Sequence, residues 1–183
     1  MSAEENQPSN INFLGQNNFR FSIKRLPNVN YFCQNVSIPS ISLSVVQAPT
    51  PFAILPRPGD RLTYDPLTIT FKVDENLVNY FEIQSWLEGL GHPESLAQTK
   101  DLSNAMRASN IGIGTRPLGH FSSFVSDATL SLLTNHKNHN KTIFFHDCFP
   151  TSLSQLDFIS TNPTLEYLEA SVTFMYSRYK LDT

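Results

Sequence analysis

Four side chains of the kinds that bind zinc lie close together in the second half of the sequence: His136, His139, His146 and Cys148. Imidazole nitrogens and a thiolate would suit that metal, but the spacing matches no closed zinc module. The first two lie in a polar loop rich in Asn and Lys, and the other two lie on one face of a predicted strand. The pattern favours solvated or packed side chains, so we expect neither a metal nor a cofactor.

Two further patterns that could carry chemistry are weak. The run Ile111-Gly-Ile-Gly-Thr-Arg116 places two glycines close together, as in loops whose backbone amides bind phosphate. No Lys-Ser or Lys-Thr pair follows, and Pro117 comes too soon for an ordinary helix start. No serine lies in a Gly-x-Ser-x-Gly elbow. Without a nucleophile or an acid–base arrangement, the sequence indicates a protein that is not an enzyme.

The composition is that of one domain with a low-charge surface. Of the 183 residues only 16% are charged, against roughly 25% in an average globular protein. The net charge of -3 and the lack of a basic stripe argue against a protein that grips nucleic acid. Cys33 and Cys148 are too few for a disulfide scaffold, so buried free thiols are expected. The polar N-terminus and the lack of a run of about 18 apolar residues predict cytoplasmic synthesis and no membrane span.

The elements that must position any site are mostly strands, predicted wherever apolar and polar residues alternate. These segments are 19–23, 29–36, 62–73 with a break at Pro66, 121–133, 142–149, 156–158 and 167–179. The first two could form a hairpin, a polar loop is expected at 135–141, and residues 150–154 are expected to turn.

Apolar residues recur at helical spacing in only one convincing segment, which predicts a helix over 75–89. Its core-facing residues are expected to be Leu77, Tyr80, Phe81 and Trp86. The predicted fold is therefore mainly β, a sandwich or partly closed barrel with one packed α-helix. Residues 1–12 are predicted to be a flexible arm, and residues 13–183 a single domain with a long insertion near 92–119.

One segment carries no charge and is rich in both apolar residues and proline, namely residues 36–56. Because proline removes a ladder donor, the segment is predicted to be an extended arm that lies on another chain. The residues predicted to form this subunit interface are Ile38, Ile41, Leu43, Val45, Val46, Phe52, Ile54 and Leu55. A compact turn at Gly59, Asp60 and Arg61 is expected to end the arm.

An ordered set of motifs resembles the tail-tube proteins of contractile-tailed bacteriophages. In chain order these are Phe32-Cys33-Gln34, Ile38-Pro39-Ser40-Ile41, Pro58-Gly59-Asp60-Arg61, Tyr64-Asp65-Pro66-Leu67, Val73-Asp74-Glu75 before the helix with Trp86, Cys148-Phe149-Pro150-Thr151, and the strand from Glu169 to Tyr179. The resemblance covers about half of the chain and leaves the middle unmatched.

The resemblance implies a structural virion protein of the phage tail, made in the host cytoplasm. It implies hexameric rings of β-sandwich subunits whose inner strands join into one barrel, with stacked rings forming a conduit for DNA. DNA would pass without specific binding, in keeping with the net charge of -3. Sheath, baseplate or terminator proteins are the further partners that it implies.

Two other functions fit the same residues. The long stretch from 94 to 119 leaves room for a baseplate or tail-terminator protein of the same fold. From a different class, a monomeric β-sandwich that binds a ligand or carbohydrate could use the 14 Phe and 6 Tyr as stacking platforms. A ligand-binding module should stay monomeric, whereas a tube subunit should form rings or polymers.

Overall fold

The computed structural model describes residues 12–91, 124–160 and 166–182. Its elements in chain order are β1 Phe19–Ile23, α1 Pro27–Phe32, β2 Cys33–Val36, β3 Ile41–Pro49, β4 Ile54–Tyr64, β5 Leu67–Lys72, α2 Val78–Gly91, β6 Ser126–Leu133, β7 His139–Leu153, β8 Glu169–Met175 and β9 Arg178–Asp182. The predicted flexible arm lies outside these residues except for Asn12, and the predicted insertion at 92–119 lies outside them altogether. The domain boundaries therefore stay predictions.

The long strand β7 joins two antiparallel sheets. Its first half pairs with β6 and β9, and β1 completes that sheet beyond β6. Its second half pairs with β8, which is followed in order by β5 and β2. The backbone changes course at Asp147, where φ is 56°, and again at a register shift between Pro150 and Ser152. The prediction of a mainly β sandwich is confirmed, and the sheets remain open.

The inner faces of the two sheets form a single core. Alternate residues of β5 point inward, so Leu67, Ile69 and Phe71 are completely buried. Inward residues of the first sheet, such as Ile23 and Phe145, belong to the same cluster. Each such side chain contributes about 1.5–3 kcal/mol when it leaves water. This burial fixes the register of every core strand, because a slip by one residue would turn the apolar row outward.

Helix α2 packs against this core through Trp86, which is only 1% exposed. The indole Nε1 donates a hydrogen bond to the carbonyl oxygen of Phe124 at 3.0 Å. Its ring lies 6.0 Å from that of Phe174, and the guanidinium of Arg25 lies 4.7 Å from the indole centroid. Burial lowers the pKa of Arg25 to about 10. The prediction of Trp86 as a core residue agrees with its position.

The start of α2 differs from the sequence-based prediction. The helix begins at Val78, and Leu77 lies before it with a left-handed φ of 58°. The buried Asn79 holds this junction, since its side chain donates to the oxygen of Lys72 at 2.8 Å and accepts from the amide of Asp74 at 3.2 Å. Helical spacing alone could not reveal this side-chain bond to the preceding strand.

Three of the four predicted core residues of the helix are not fully buried, and the first of them is the half-buried Leu77. Phe81 is 54% exposed, so the prediction that it faces the core was wrong. Tyr80 is half-buried, and its hydroxyl donates to the oxygen of Ser154 at 3.0 Å. The buried residues of α2 are Asn79, Ile83, Trp86 and Gly89, which shifts the inward stripe away from Phe81.

The predicted strand at 29–36 was also wrong in its first half. Pro27 starts the short helix α1, a position where its fixed φ and missing amide donor are well tolerated. Val29 of this helix is completely buried in the core. The predicted hairpin between the first two strands does not form, because β1 pairs with β6 and β2 pairs with β5.

Four predictions for the last third of the chain need correction. The expected turn at 150–154 is strand, because β7 continues to Leu153 around a bulge. The expected short strand at 156–158 is not a strand. The long terminal strand is interrupted at 176–177, and its two parts pair with different sections of β7. Part of the expected loop at 135–141 belongs to β7, which begins at His139.

A cluster of aromatic rings anchors the segment that leaves the sandwich between β2 and β5. The Tyr64 ring lies 6.0 Å from that of Tyr176 and 5.6 Å from that of Tyr179. The Tyr176 hydroxyl donates to the oxygen of Asp65 at 2.8 Å, and that of Tyr179 donates to the oxygen of Pro39 at 3.4 Å. Both ends of the segment between β2 and β5 therefore contact Tyr176 and Tyr179 of the sandwich.

Replacing Trp86 should test how much α2 contributes to the core. Trp86→Ala removes a buried indole, so the free energy of unfolding should fall by about 3–5 kcal/mol in chemical denaturation. Trp86→Phe keeps an aromatic ring and loses the bond to Phe124, so it should cost less. A loss below about 1 kcal/mol for Trp86→Ala would show that the ring does not stabilise the core.

The tyrosine cluster predicts a late alkaline transition. Burial raises the pKa of Tyr176 to about 12, against about 10 in an unfolded chain. A raised folded pKa stabilises the fold fully below about pH 10, and that stability is lost as the pH rises toward 12.

In an absorbance titration of tyrosinate, a transition near pH 12 should appear in the native protein and vanish in Tyr176→Phe. If the variant and the native protein titrate identically above about pH 11, burial does not shift Tyr176.

Candidate assembly surface

The segment that leaves the sandwich is a β-hairpin made of β3 and β4. The two strands pair from Ile41 with Tyr64 to Pro49 with Ile54, as a two-stranded sheet separate from the main sheets. At about 3.3 Å per residue, the nine residues of β3 span roughly 30 Å. The predicted extended arm was therefore wrong in its local structure. Each strand of a two-stranded ribbon has a free edge, where the missing amide of a proline can be tolerated.

The predicted turn at Gly59, Asp60 and Arg61 lies inside β4. The register shifts here, and a Cβ on Gly59 would clash with the Ser44 Oγ and would come within 2.7 Å of the Ser44 carbonyl oxygen. The backbone amide of Arg61 donates to the same Oγ at 3.3 Å. Glycine is thus required for close approach in a bulge, not for a reversal of the chain.

The reversal occurs at the hairpin tip, residues 50–53. The amide of Thr50 donates to the oxygen of Ala53 at 2.9 Å, and the Thr50 hydroxyl donates to that oxygen at 2.6 Å. The amide of Ala53 in turn donates to the same hydroxyl at 3.1 Å. These bonds fix the turn that presents Phe52, whose side chain is 100% exposed.

The hairpin leaves its large apolar side chains in water. Every residue predicted for the subunit interface is about half exposed or more, and the same is true of Leu62, which lies in the strand predicted at 62–73. The exposed side chains are those of Ile38, Ile41, Leu43, Val45, Val46, Phe52, Ile54, Leu55 and Leu62. This many exposed apolar side chains on one hairpin indicates a site of protein contact.

Unpaired backbone edges accompany this apolar surface. In the described part of the chain, β3 and β4 pair only with each other, and β1, β2 and β9 each pair with one strand. The end of β1 is protected by Asn30, whose side chain exchanges hydrogen bonds of 2.8 and 3.0 Å with the backbone of Ile23. Among the residues that the structure describes, no third strand pairs with the outer edge of β3 or β4, so these edges can pair with another chain.

The side chains considered for metal binding do not gather. His139 Nε2 lies 2.6 Å from the Thr142 hydroxyl, and His146 Nδ1 lies 3.9 Å from a carboxylate oxygen of Asp127. Cys148 is fully buried, and burial raises its pKa to about 12. Among the described ranges, no three potential ligands come close enough to hold a metal.

Cys33 is a half-buried free thiol whose pKa burial raises to about 11. The glycine-containing run at 111–116 lies outside the described residues. No helix in the described ranges is both long and apolar enough to span a membrane.

The sequence of this chain matches a known protein family and a related phage protein. The model of the phage tail tube protein family matches residues 6–182. The tail tube terminator protein of Enterobacteria phage T4 is 28% identical over 153 residues, which cover 81% of this chain and 76% of that protein.

Solved structures share the fold at low sequence identity. A chain from the sheath/tube terminator of an extracellular contractile injection system has a TM-score of 0.57 at 17% identity, covering 95% of this chain and all of that one. A chain from the tube-terminating cap of the anti-feeding prophage has a TM-score of 0.55 at 16% identity, covering 100% of this chain and 99% of that one. These likenesses show the fold alone.

The family match covers nearly the whole chain, including the sandwich, the hairpin and the terminal strands. The relative from phage T4 is likewise a structural tail protein. The chain therefore belongs to the phage tail tube protein family, as a tail tube or tube terminator protein that is a structural component of the particle and not an enzyme.

Proposed function

We propose that copies of this chain assemble into stacked rings, in which inner strands join into a barrel that conducts DNA, and that the β3–β4 hairpin supplies contacts between copies. The observation that carries this proposal is a hairpin of roughly 30 Å whose large apolar side chains are exposed. The low charge of the chain, -3 overall, suits a conduit that DNA passes without being held. Hexameric symmetry is part of the proposal.

The energetics require a contact that covers several hairpin residues at once. Moving one large apolar side chain from water to a packed interface contributes about 1.5–3 kcal/mol. Association costs on the order of 4–15 kcal/mol in lost motional freedom, before any side chain is ordered. A contact through Phe52 alone cannot offset that cost, whereas one that covers the tip and several strand residues can. The hydrogen-bonded turn at 50–53 lowers the ordering cost further.

A tube terminator is the second candidate function. It is favoured by the relative from phage T4, which is named as a tail tube terminator protein. A terminator would form a ring that caps a tube and would meet different proteins on its two sides. Sheath and baseplate proteins are proposed partners in either case, since solved relatives of the fold come from a sheath–tube complex and a baseplate.

Electron microscopy of the purified protein separates the two roles. A shaft subunit should form long tubes by itself above a threshold concentration. A terminator should form discrete rings that do not elongate without other tail proteins. A single unit that stays monomeric at high concentration would contradict both.

A hairpin replacement tests the assembly role directly. Ile41 pairs with Tyr64 across the hairpin base, so residues 42–63 can be replaced by Asn-Gly, which favours a tight two-residue turn. Tyr64 stays in the tyrosine cluster. The variant should therefore unfold close to the temperature of the native protein, yet form neither rings nor tubes.

The control is Lys24→Ala, which changes an exposed residue outside the hairpin and should leave assembly intact. Rings or tubes in the hairpin variant, at the concentration at which the native protein forms them, would remove the hairpin from the interface.

A further inference from the structure

An aromatic, acidic groove lies at the end of the sandwich where β5 runs into α2. It has a volume of about 710 Å³, and Phe32, Leu77, Phe158 and Tyr167 give it an apolar floor and wall. Phe158 is 74% exposed and Tyr167 is 70% exposed, so both of these lining rings are largely in water. The groove is therefore an apolar surface that the described body of the subunit leaves uncovered.

The groove rim and the hairpin carry formal net charges of opposite sign. Three carboxylates, Asp74, Glu75 and Glu166, and one ammonium, Lys72, line it, which gives a formal net charge of -2. Lys72 is partly engaged, with its Nζ 5.3 Å from the centre of the Tyr167 ring.

The hairpin strands carry Arg57, Asp60 and Arg61 as their only charged residues, a formal net charge of +1. Arg57 pairs across the ribbon with Val46, on the tip side of the bulge at Gly59. An apolar tip with a nearby arginine thus matches an apolar groove with an acidic rim, since complementary charge sets orientation while apolar burial stabilises the contact.

The hairpin and the groove lie at opposite ends of the same strands. The hairpin returns to the body at Asp65, just before β5, next to the pairing of Leu67 with Phe174. The groove follows the other end of β5, where Lys72 pairs with Glu169. Phe52 is wholly exposed, so the tip does not occupy the groove of its own chain.

We propose that the hairpin tip of one copy docks in the groove of the next copy, with Phe52 against Phe158 and Tyr167 and with Arg57 facing Glu75 and Glu166. The inference rests on the proposed assembly function and names the partner surface of the hairpin. Because one copy gives the tip and the other gives the groove, the contact is heterologous. Such contacts close into rings when the rotation permits and otherwise extend as filaments.

Cross-linking between engineered cysteines tests the contact in the intact chain. Ala53→Cys places a thiol beside Phe52, and Glu166→Cys places one on the rim of the groove. Cys33→Ser removes the half-buried native thiol, while the buried Cys148 stays. A short bis-maleimide applied under assembly conditions should give a ladder of dimers, trimers and larger species.

The matched control pairs Ala53→Cys with Lys24→Cys, at an exposed position away from the groove, and should give no ladder. A product that stops at the dimer would indicate a reciprocal contact and would overturn the heterologous one. No cross-link in the test pair, while the native protein assembles, would overturn the groove as the docking site.

Charge reversal provides an independent readout. Arg57→Glu and Glu75→Arg should each raise the concentration required for assembly by about tenfold, and the double variant should restore most of the loss. Lys24→Glu should have no effect. If the native protein assembles and the hairpin replacement blocks assembly, but neither groove variant has an effect, the docking site is wrong and the proposed function stands. If the native protein does not assemble at all, both fail.

Discussion

A two-stranded ribbon cannot cover its own apolar side chains, because water reaches both of its faces and both of its edges. An isolated hairpin is at best marginally stable for this reason. Here the ribbon is held at its base by the cluster of Tyr64, Tyr176 and Tyr179, while the large side chains beyond the base remain exposed. The interactions that order the hairpin and those that would cover it are therefore in different places. That separation makes a second chain the natural source of the missing burial.

The β3–β4 hairpin is anchored on the sandwich. The core of the sandwich includes residues of both sheets, and β7 pairs in each of them. Phe145 of β7 packs against Tyr176 and Tyr179, which connects the tyrosine cluster to this core. Helix α2 is tied to the other end of β5 through Asn79, whose side chain donates to the carbonyl oxygen of Lys72. The same strand thus connects the base of the hairpin to the groove, and the distance between the two surfaces is set by core packing. In the proposed assembly, this arrangement would set a fixed spacing between neighbouring copies.

The sequence predicts those strands whose apolar and polar residues alternate within a single short segment. Strands with clear alternation, such as 19–23 and 67–72, lie where they were expected, because burial of one face determines both period and register. Proline misled the interpretation twice. Pro56 and Pro58 lie in a paired strand of a ribbon with free edges, and Pro150 lies in β7 beside a bulge. Whether a proline breaks a strand depends on its neighbours in the sheet, which a single sequence does not specify.

The candidate site was predicted in part. The lack of charge over residues 36–56 predicted a subunit interface, and the large apolar side chains of this segment are exposed in the structure. Their role in an interface stays a prediction. The same pattern could not show that the segment folds back on β4, so Leu62 was missed and Gly59 was placed in a turn. The groove beside α2 had no sequence signal at all. Phe32, Glu75 and Tyr167 are far apart in the chain, and only the order of strands in the second sheet brings them together.

Hydrogen exchange along the hairpin measures most directly whether another copy covers it. Backbone amides of residues 41–64 should exchange rapidly in the dilute subunit, where only the ribbon protects them, and slowly after assembly, while the amides of β5 stay protected in both. Equal protection of the hairpin in dilute and concentrated protein, with assembly verified in the concentrated sample, would show that no second chain covers it and would contradict the account.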